Sequence, residues 1–261
     1  MNQRFLFICC LLSIVCGLVF FTAGCATTYN PATERQEYIF IDSRMEAQIG
    51  RGMSEDIIRK KEEPLNSPAK QLLLNRIGNR LVGVCDRKDI IYHFMILDNP
   101  DLNAFCLPGG YVYVYSGLFN RTDEAALAAI LAHEIGHTAA RHAVKKMQSA
   151  LGFDVMMGLA LFGLGQKNPE LEKQIAWASD IVYDLLSRGY SREDELLADK
   201  LAVKYLRLAG YDPYGMIRVL ELLKNQAGPG GRVFEVLSTH PRMEERIRKC
   251  REEIERPKNI D

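Results

Sequence analysis

The 261-residue chain predicts an α+β fold, mostly helical around a small β-sheet. Two patterns carry that expectation. Six stretches (42–61, 68–85, 123–147, 191–208, 214–226 and 241–255) have the spacing, caps or composition of helices. Only two, 90–97 and 111–115, have the aromatic and β-branched content of strands.

Each element has its own signal. The charged stretch 42–61 ends before Pro64 and Pro68. In 68–85, Leu72, Leu73, Ile77, Leu81 and Val84 form an apolar stripe at helical spacing. The run Ile-Ile-Tyr-His-Phe-Met-Ile-Leu at 90–97 is a strand, with His93 read as structural, and it is closed by the turn Asp98-Asn99-Pro100-Asp101. Tyr111, Val112, Tyr113, Val114 and Tyr115 alternate at period two, a second strand. The Ala- and Leu-rich stretch 123–147 is a helix with Thr122 or Asp123 as its N-cap. Gly210 closes 191–208, and Gly228-Pro229-Gly230-Gly231 separates the last two helices.

Within the 123–147 helix lies His133-Glu134-Ile135-Gly136-His137. Residues four apart share a helix face, so the two imidazoles can grip one metal ion with Glu134 beside them as a general base. That is the layout of a zinc peptidase, and a catalytic site needs a third protein ligand with water in the fourth place. A third His in H-E-x-x-H-x-x-G-x-x-H is excluded, because positions 140 and 143 are both Ala. His142, five residues beyond His137, is expected to point about 140° round the helix. The stretch 191–199 offers acids instead: Glu195 and Asp199 share a face, while Glu193 and Asp194 point elsewhere. A ligating Glu195 suits an Asp199 that accepts the free N–H of a metal-bound His. An ordinary solvated acidic face is the alternative, and it fits Glu193 and Asp194.

The N-terminus points to a compartment. Arg4 precedes an apolar run from Phe5 to Phe21, broken only by Ser13 and Gly17, and then Thr22-Ala23-Gly24-Cys25. This describes a secretory signal peptide. It resembles a bacterial lipobox, with Thr22 where Leu is usual, in which Cys25 becomes the lipidated first residue. An uncleaved membrane anchor is the alternative; both put the rest of the chain outside the cytoplasm. Ala26 after the cysteine favours the outer membrane. The expected organisation is a signal peptide at 1–24, a lipidated N-terminus and polar tether at 25–40, and one domain at 41–261. Among Cys85, Cys106 and Cys250, at most one disulfide can form; none has C-x-x-C spacing, and buried thiols are the simpler reading. Basic and acidic residues both total 33, leaving no strongly basic balance to suggest nucleic acid.

Four motifs occur in order: Asn103-Ala104-Phe105 with Pro108-Gly109-Gly110, the H-E-x-x-H, Glu195-Leu196-Leu197-Ala198-Asp199, and Ser238-Thr239-His240-Pro241. Together they resemble the BepA-like metallopeptidases, related to HtpX and the CAAX prenyl protease, over roughly residues 40–250. The resemblance implies a gluzincin-type zincin fold with the small sheet beside the H-E-x-x-H helix. It implies one Zn²⁺ held by His133, His137 and Glu195, with Glu134 as catalytic base. It also makes His240 the candidate for a second electrophile, against a helix-capping or surface role, or occupancy of the open zinc position. In zincins an edge strand pairs with extended peptide; Asn103, Ala104, Phe105, Gly109 and Gly110 are expected there, the glycines allowing close backbone approach. The chain lacks the transmembrane helices of HtpX and the prenyl protease, and the C-terminal helical repeats of BepA, so partner recognition through repeats is not expected. The apolar stretch 147–165 is broken by glycines, and its uninterrupted part, 155–164, is too short to span a membrane; the stretch reads as a buried helix or as a mobile cover over the cleft.

The expected function is a zinc endopeptidase, lipid-anchored through Cys25 and facing the periplasm, that acts on misfolded or misassembled envelope proteins. A non-catalytic, chaperone-like scaffolding lipoprotein is the alternative. A closed structural zinc site would need a fourth protein ligand, for which only His240 is available.

Overall fold

The structure, a computed structural model, describes residues 27–60, 62–150, 189–226 and 243–256. Cys25, His240 and most of 147–165 lie outside the described residues. A hairpin comes first, β1 (Thr27–Asn30) paired antiparallel with β2 (Arg35–Tyr38). Helices α1 (Ser43–Lys60) and α2 (Pro68–Val82) follow. Next come β3 (His93–Leu97), β4 (Ala104–Leu107), a 3-10 turn at Pro108–Gly110 and β5 (Tyr111–Tyr115). The remaining helices are α3 (Ser116–Phe119), α4 (Glu124–Ala139), α5 (His142–Ala150), α6 (Arg192–Ala209), α7 (Gly215–Gln226) and α8 (Met243–Glu255). The fold is the mostly helical α+β arrangement that the sequence predicts.

Three strands form one sheet in the order β3-β5-β4. β3 runs parallel to β5, with His93 opposite Tyr111, and β4 runs antiparallel to it, with Ala104 opposite Val114. β4 is therefore an edge strand among the described residues. Helix α4 lies beside this sheet and is buried from Ala126 to Ala139. A helix apolar all round belongs in a core, and α4 packs against α2, α6, α7 and β4. Asp123 caps it, accepting from the Ala126 N–H at 2.7 Å. Ser191 caps α6 in a reciprocal box with Asp194, and Gly210 ends it in the left-handed conformation (φ 71°). Among the described helices, none is long and apolar enough to cross a membrane.

Three features depart from the sequence reading. The metal helix does not run to Met147: it ends at Ala139, and Arg141 adopts φ 57° before α5 begins. Ala, Arg and His are unremarkable in a helix, so the break has a tertiary cause. Buried Glu46 of α1 accepts from Arg141 Nε (3.1 Å) and Nη2 (2.8 Å), and Nη2 also donates to the Ile41 carbonyl (2.7 Å). These charge-assisted bonds offset the roughly 1–2 kcal/mol that a left-handed non-glycine residue costs. Second, the expected polar tether is ordered as the β1–β2 hairpin. Third, Gly109 (φ 76°) and Gly110 (φ 90°) are buried against the protein itself. A Cβ on Gly109 would lie 2.6 Å from Ala47 Cα, and one on Gly110 2.7 Å from the Ile91 carbonyl oxygen. Their close approach is to α1 and residue 91. Cys85, Cys106 and Cys250 are buried, unpaired thiols.

Helices α4 and α6 meet closely at Gly136, where an added Cβ would lie 3.0 Å from the Ala198 carbonyl oxygen and 3.3 Å from Leu201 Cβ. Gly136→Val should therefore push the helices apart and cost about 1–3 kcal/mol of overpacking. Urea unfolding of the metal-free protein checks this; a variant as stable as the parent would contradict the close contact.

Candidate metal centre

His133 and His137 project from one face of α4, and Glu195 meets them from α6. The two Nε2 atoms are 3.0 Å apart. Glu195 Oε1 is 3.3 Å from His137 Nε2, and Oε2 is 3.6 Å from His133 Nε2. A tetrahedral ion with bonds of about 2.0–2.1 Å separates its ligand atoms by roughly 3.3–3.4 Å, so these distances bracket what zinc needs. All three side chains are buried, and together they can hold a metal ion.

The ring nitrogens on the far side are engaged from both flanks. His133 Nδ1 lies 2.9 Å from Asp199 Oδ1. An ionised carboxylate only accepts, so Nδ1 donates to it, and Nε2 is the nitrogen turned toward the other two ligand residues, where a metal would replace a proton. His137 Nδ1 is 2.8 Å from His142 Nδ1, and His142 Nε2 is 3.2 Å from Asp194 Oδ1. Asp194 is a charged neighbour of His142 Nε2 and forms no hydrogen bond with it; in the tautomer protonated on Nε2, His142 accepts at Nδ1. In that tautomer His137 donates from Nδ1 and can turn its Nε2 lone pair to a metal. Burial and the neighbouring His137 push His142 down to about 3, consistent with a neutral ring in this chain of bonds. Tyr190 stacks on His137 with ring centroids 4.2 Å apart.

Arg246 of α8 compensates the carboxylates. Its Nε and Nη2 donate to Asp199 at 2.8 and 2.7 Å, and Nη1 lies 2.9 Å from Glu195 Oε2. Burial opposes ionisation of Asp199, but Arg246 and His133 hold its carboxyl well below the usual carboxylate range. Burial by itself would lower His133; Asp199 and Glu195 more than reverse this and raise it to about 9. The fit to a divalent metal rests on the donor set and its spacing: two imidazole nitrogens and one carboxylate, buried together at ligand separations.

Glu134, one residue on from His133, is buried, and its Oε2 has no hydrogen-bond partner among the described residues. A small, mostly apolar pocket of about 40 Å³ lies beside His133 and Glu134, walled by Ile130, Met216, Val219 and Leu223. Sequence reasoning singled out His133, Glu134, His137, Glu195 and Asp199, and these five are brought together. It placed His142 on the wrong side, because a continuous helix was assumed where Arg141 interrupts it. It missed Arg246 altogether. The only hint was that Arg246 borders the stripe of Met243, Ile247, Cys250 and Ile254 in an otherwise charged helix. Tyr190 carried no signal.

Comparison with known proteins agrees with this geometry. The model of peptidase family M48 matches residues 68–254. The chain belongs to peptidase family M48, a family of zinc-dependent metallopeptidases. The M48 chain is 30% identical over 193 residues to the beta-barrel assembly-enhancing protease of Escherichia coli, covering 72% of this chain and 39% of that protein. It is 27% identical over 244 residues to the mitochondrial metalloendopeptidase OMA1 of Schizosaccharomyces pombe, covering 90% and 68%. The chain thus spans about two fifths of the length of the first of these relatives.

Two variants test the centre. Arg246→Met leaves two buried carboxylates without their guanidinium and should destabilise the metal-free protein by about 3–5 kcal/mol near neutral pH. The parent Asp199, with its depressed pKa, contributes stability above its ordinary value near 3.8 and loses it only as pH falls through its lower folded value. The variant's carboxylate takes up a proton at higher pH, so the difference between the two should shrink on acidification in denaturation curves. His142→Phe should weaken zinc binding by about 10–100-fold in a metal-buffer competition, because His137 loses the partner that orients it.

Proposed function

We propose that this M48 peptidase is a zinc-dependent endopeptidase of the bacterial envelope, with His133, His137 and Glu195 as metal ligands and Glu134 as the general base. The observation that carries the reading is the convergence of three ligand atoms beside a buried carboxylate with an open acceptor, next to a cavity. When bound, zinc acidifies a water molecule and polarises the scissile carbonyl. Glu134 takes the proton of the attacking water and passes it to the departing amide nitrogen, so that one carboxylate serves as base and then as acid. Asp199 and His142 keep both imidazoles in the tautomer that presents Nε2. Arg246 keeps Asp199 ionised and lies against Glu195.

Substrate backbone is held along β4. Tyr115 N–H donates to the Asn103 carbonyl at 2.9 Å. Antiparallel pairs alternate, so Phe105 and Leu107 bond β5 while the N–H and C=O groups of Ala104 and Cys106 point to the open edge. That edge, unpaired among the described residues and flanked by Asn103, supports addition of an extended peptide. Gly109 and Gly110 serve instead to seat the following turn on α1. His240 is proposed as the second electrophile on its sequence position alone.

The substrates are proposed to be misfolded or misassembled envelope proteins, a reading supported by the name of the Escherichia coli relative. The chain reaches the envelope through cleavage of residues 1–24 and lipidation of Cys25, with Ala26 directing it to the outer membrane and residues 41–261 forming the peptidase domain. The composition around Arg4, Phe5–Phe21 and Cys25 supports this.

Glu134→Gln decides the catalytic assignment. The variant should keep a full complement of zinc by elemental analysis while casein cleavage falls by at least about 10²-fold. Chelation should abolish cleavage by the parent, and zinc should restore it. Unchanged proteolysis by the variant would contradict the role given to Glu134.

A further inference from the structure

The β1–β2 hairpin has two unlike faces. Paired residues of an antiparallel ladder project to the same side, and successive residues alternate. The register Thr27–Tyr38 and Tyr29–Gln36 therefore puts Thr27, Tyr29, Gln36 and Tyr38 on one face, and Phe40 continues it two residues on. Tyr29, Tyr38 and Phe40 are 55%, 68% and 59% exposed. No Asp, Glu, Lys or Arg shares this face. Three exposed rings between positions 29 and 40, on a face that carries no charged side chain, are not the scattered single hydrophobics of an ordinary surface.

The opposite face is tied down. Asn30 Nδ2 donates to Glu37 Oε2 (2.9 Å), and Lys145 Nζ to Glu37 Oε1 (2.6 Å). Gln148 of α5 brackets the end of β2, accepting from the Phe40 N–H (2.8 Å) and donating to the Tyr38 carbonyl (3.1 Å). Ile39 and Ile41 are buried in a cluster with Met53, Ile57 and Val144. The exposed rings thus stand on a hairpin fastened to α5, the helix that brings His142 to the metal centre.

Position says what covers this face. Thr27 follows Cys25 by two residues, and two residues span at most about 7 Å. Tyr38 is level with Thr27 in the ladder, so the rings crowd at the end where the chain enters. A headgroup layer is roughly 5–7 Å deep on each side of a bilayer. A lipid on Cys25 therefore leaves the hairpin no room to stand clear of it. Tyrosine, with an apolar body and a polar tip, is enriched at that level.

We propose that Tyr29, Tyr38 and Phe40 form a foot that seats this face in the headgroup region of the membrane carrying the lipid on Cys25, holding the metal centre in one orientation to the bilayer. The inference rests on the lipid-anchor reading above.

Site-specific fluorescence tests it in the full-length lipoprotein. The native thiols Cys85, Cys106 and Cys250 are buried, so Phe40→Cys and, as a control on α2, Leu72→Cys (Leu72 is 71% exposed) can each be labelled with an environment-sensitive dye. The proteins are reconstituted in phosphatidylethanolamine–phosphatidylglycerol vesicles containing headgroup spin-labelled lipid. The dye at position 40 should emit further to the blue and be quenched at least about twofold more than the dye at 72. Equal quenching at the two positions overturns the foot, as does a blue shift at 40 that follows protein density rather than spin-labelled lipid, which would mean a second copy covers the face. Fatty-acid labelling of the parent and of Cys25→Ala separates the two readings. Label on Cys25 without the contrast sinks the foot alone; the contrast without label sinks the anchor alone; absence of both sinks both.

Discussion

Two carboxylates, Glu195 and Asp199, are buried one helical turn apart, and the rest of the site follows from having to compensate them. Isolated charges in a protein interior cost several kcal/mol each unless paired and hydrogen-bonded. Arg246 bonds Asp199 through two nitrogens and approaches Glu195 with the third. The imidazole of His133 takes up the remaining acceptor of Asp199. What is left over is negative charge aimed at two lone pairs, the condition for holding a divalent cation. This requirement also explains why α8, otherwise a surface helix, turns an arginine inward.

A second buried cluster works on the other side of α4. Glu46 receives Arg87 at 2.9 and 2.7 Å as well as Arg141, and its Oε1 also accepts from the Gly109 N–H at 3.1 Å. Arg87 further donates to the Thr138 carbonyl at 3.1 Å. One glutamate therefore joins α1, the Pro-Gly-Gly turn and the end of the metal helix. By holding Arg141 in the left-handed conformation it swings His142 back onto His137. The two ligand imidazoles are thus oriented by separate partners, Asp199 with Arg246 for one and the His142 ring for the other. Long-range contacts, more than local helix geometry, decide which ring nitrogen faces the metal.

That division explains what was legible in the sequence. Features written in local spacing were readable: the four-residue step from His133 to His137, the same step from Glu195 to Asp199, the alternation of Tyr111–Tyr115, and the helix ends at Asp123 and Gly210. Features that depend on a partner distant in the chain were not. The break at Arg141 needs Glu46, 95 residues earlier. The inward turn of Arg246 needs Asp199, 47 residues earlier. The hairpin at 27–38 was hidden because its strands are short and polar on one face. Periodicity cannot report such pairings, since either residue alone is equally suited to solvent.

The account turns on the identity of the atoms around the metal. Zinc K-edge X-ray absorption of the purified full-length protein measures them directly. The account predicts a shell of nitrogen and oxygen at about 2.0–2.1 Å, with the multiple-scattering signature of two imidazoles and no sulfur. A sulfur scatterer near 2.3 Å, or a shell with no imidazole, would contradict it.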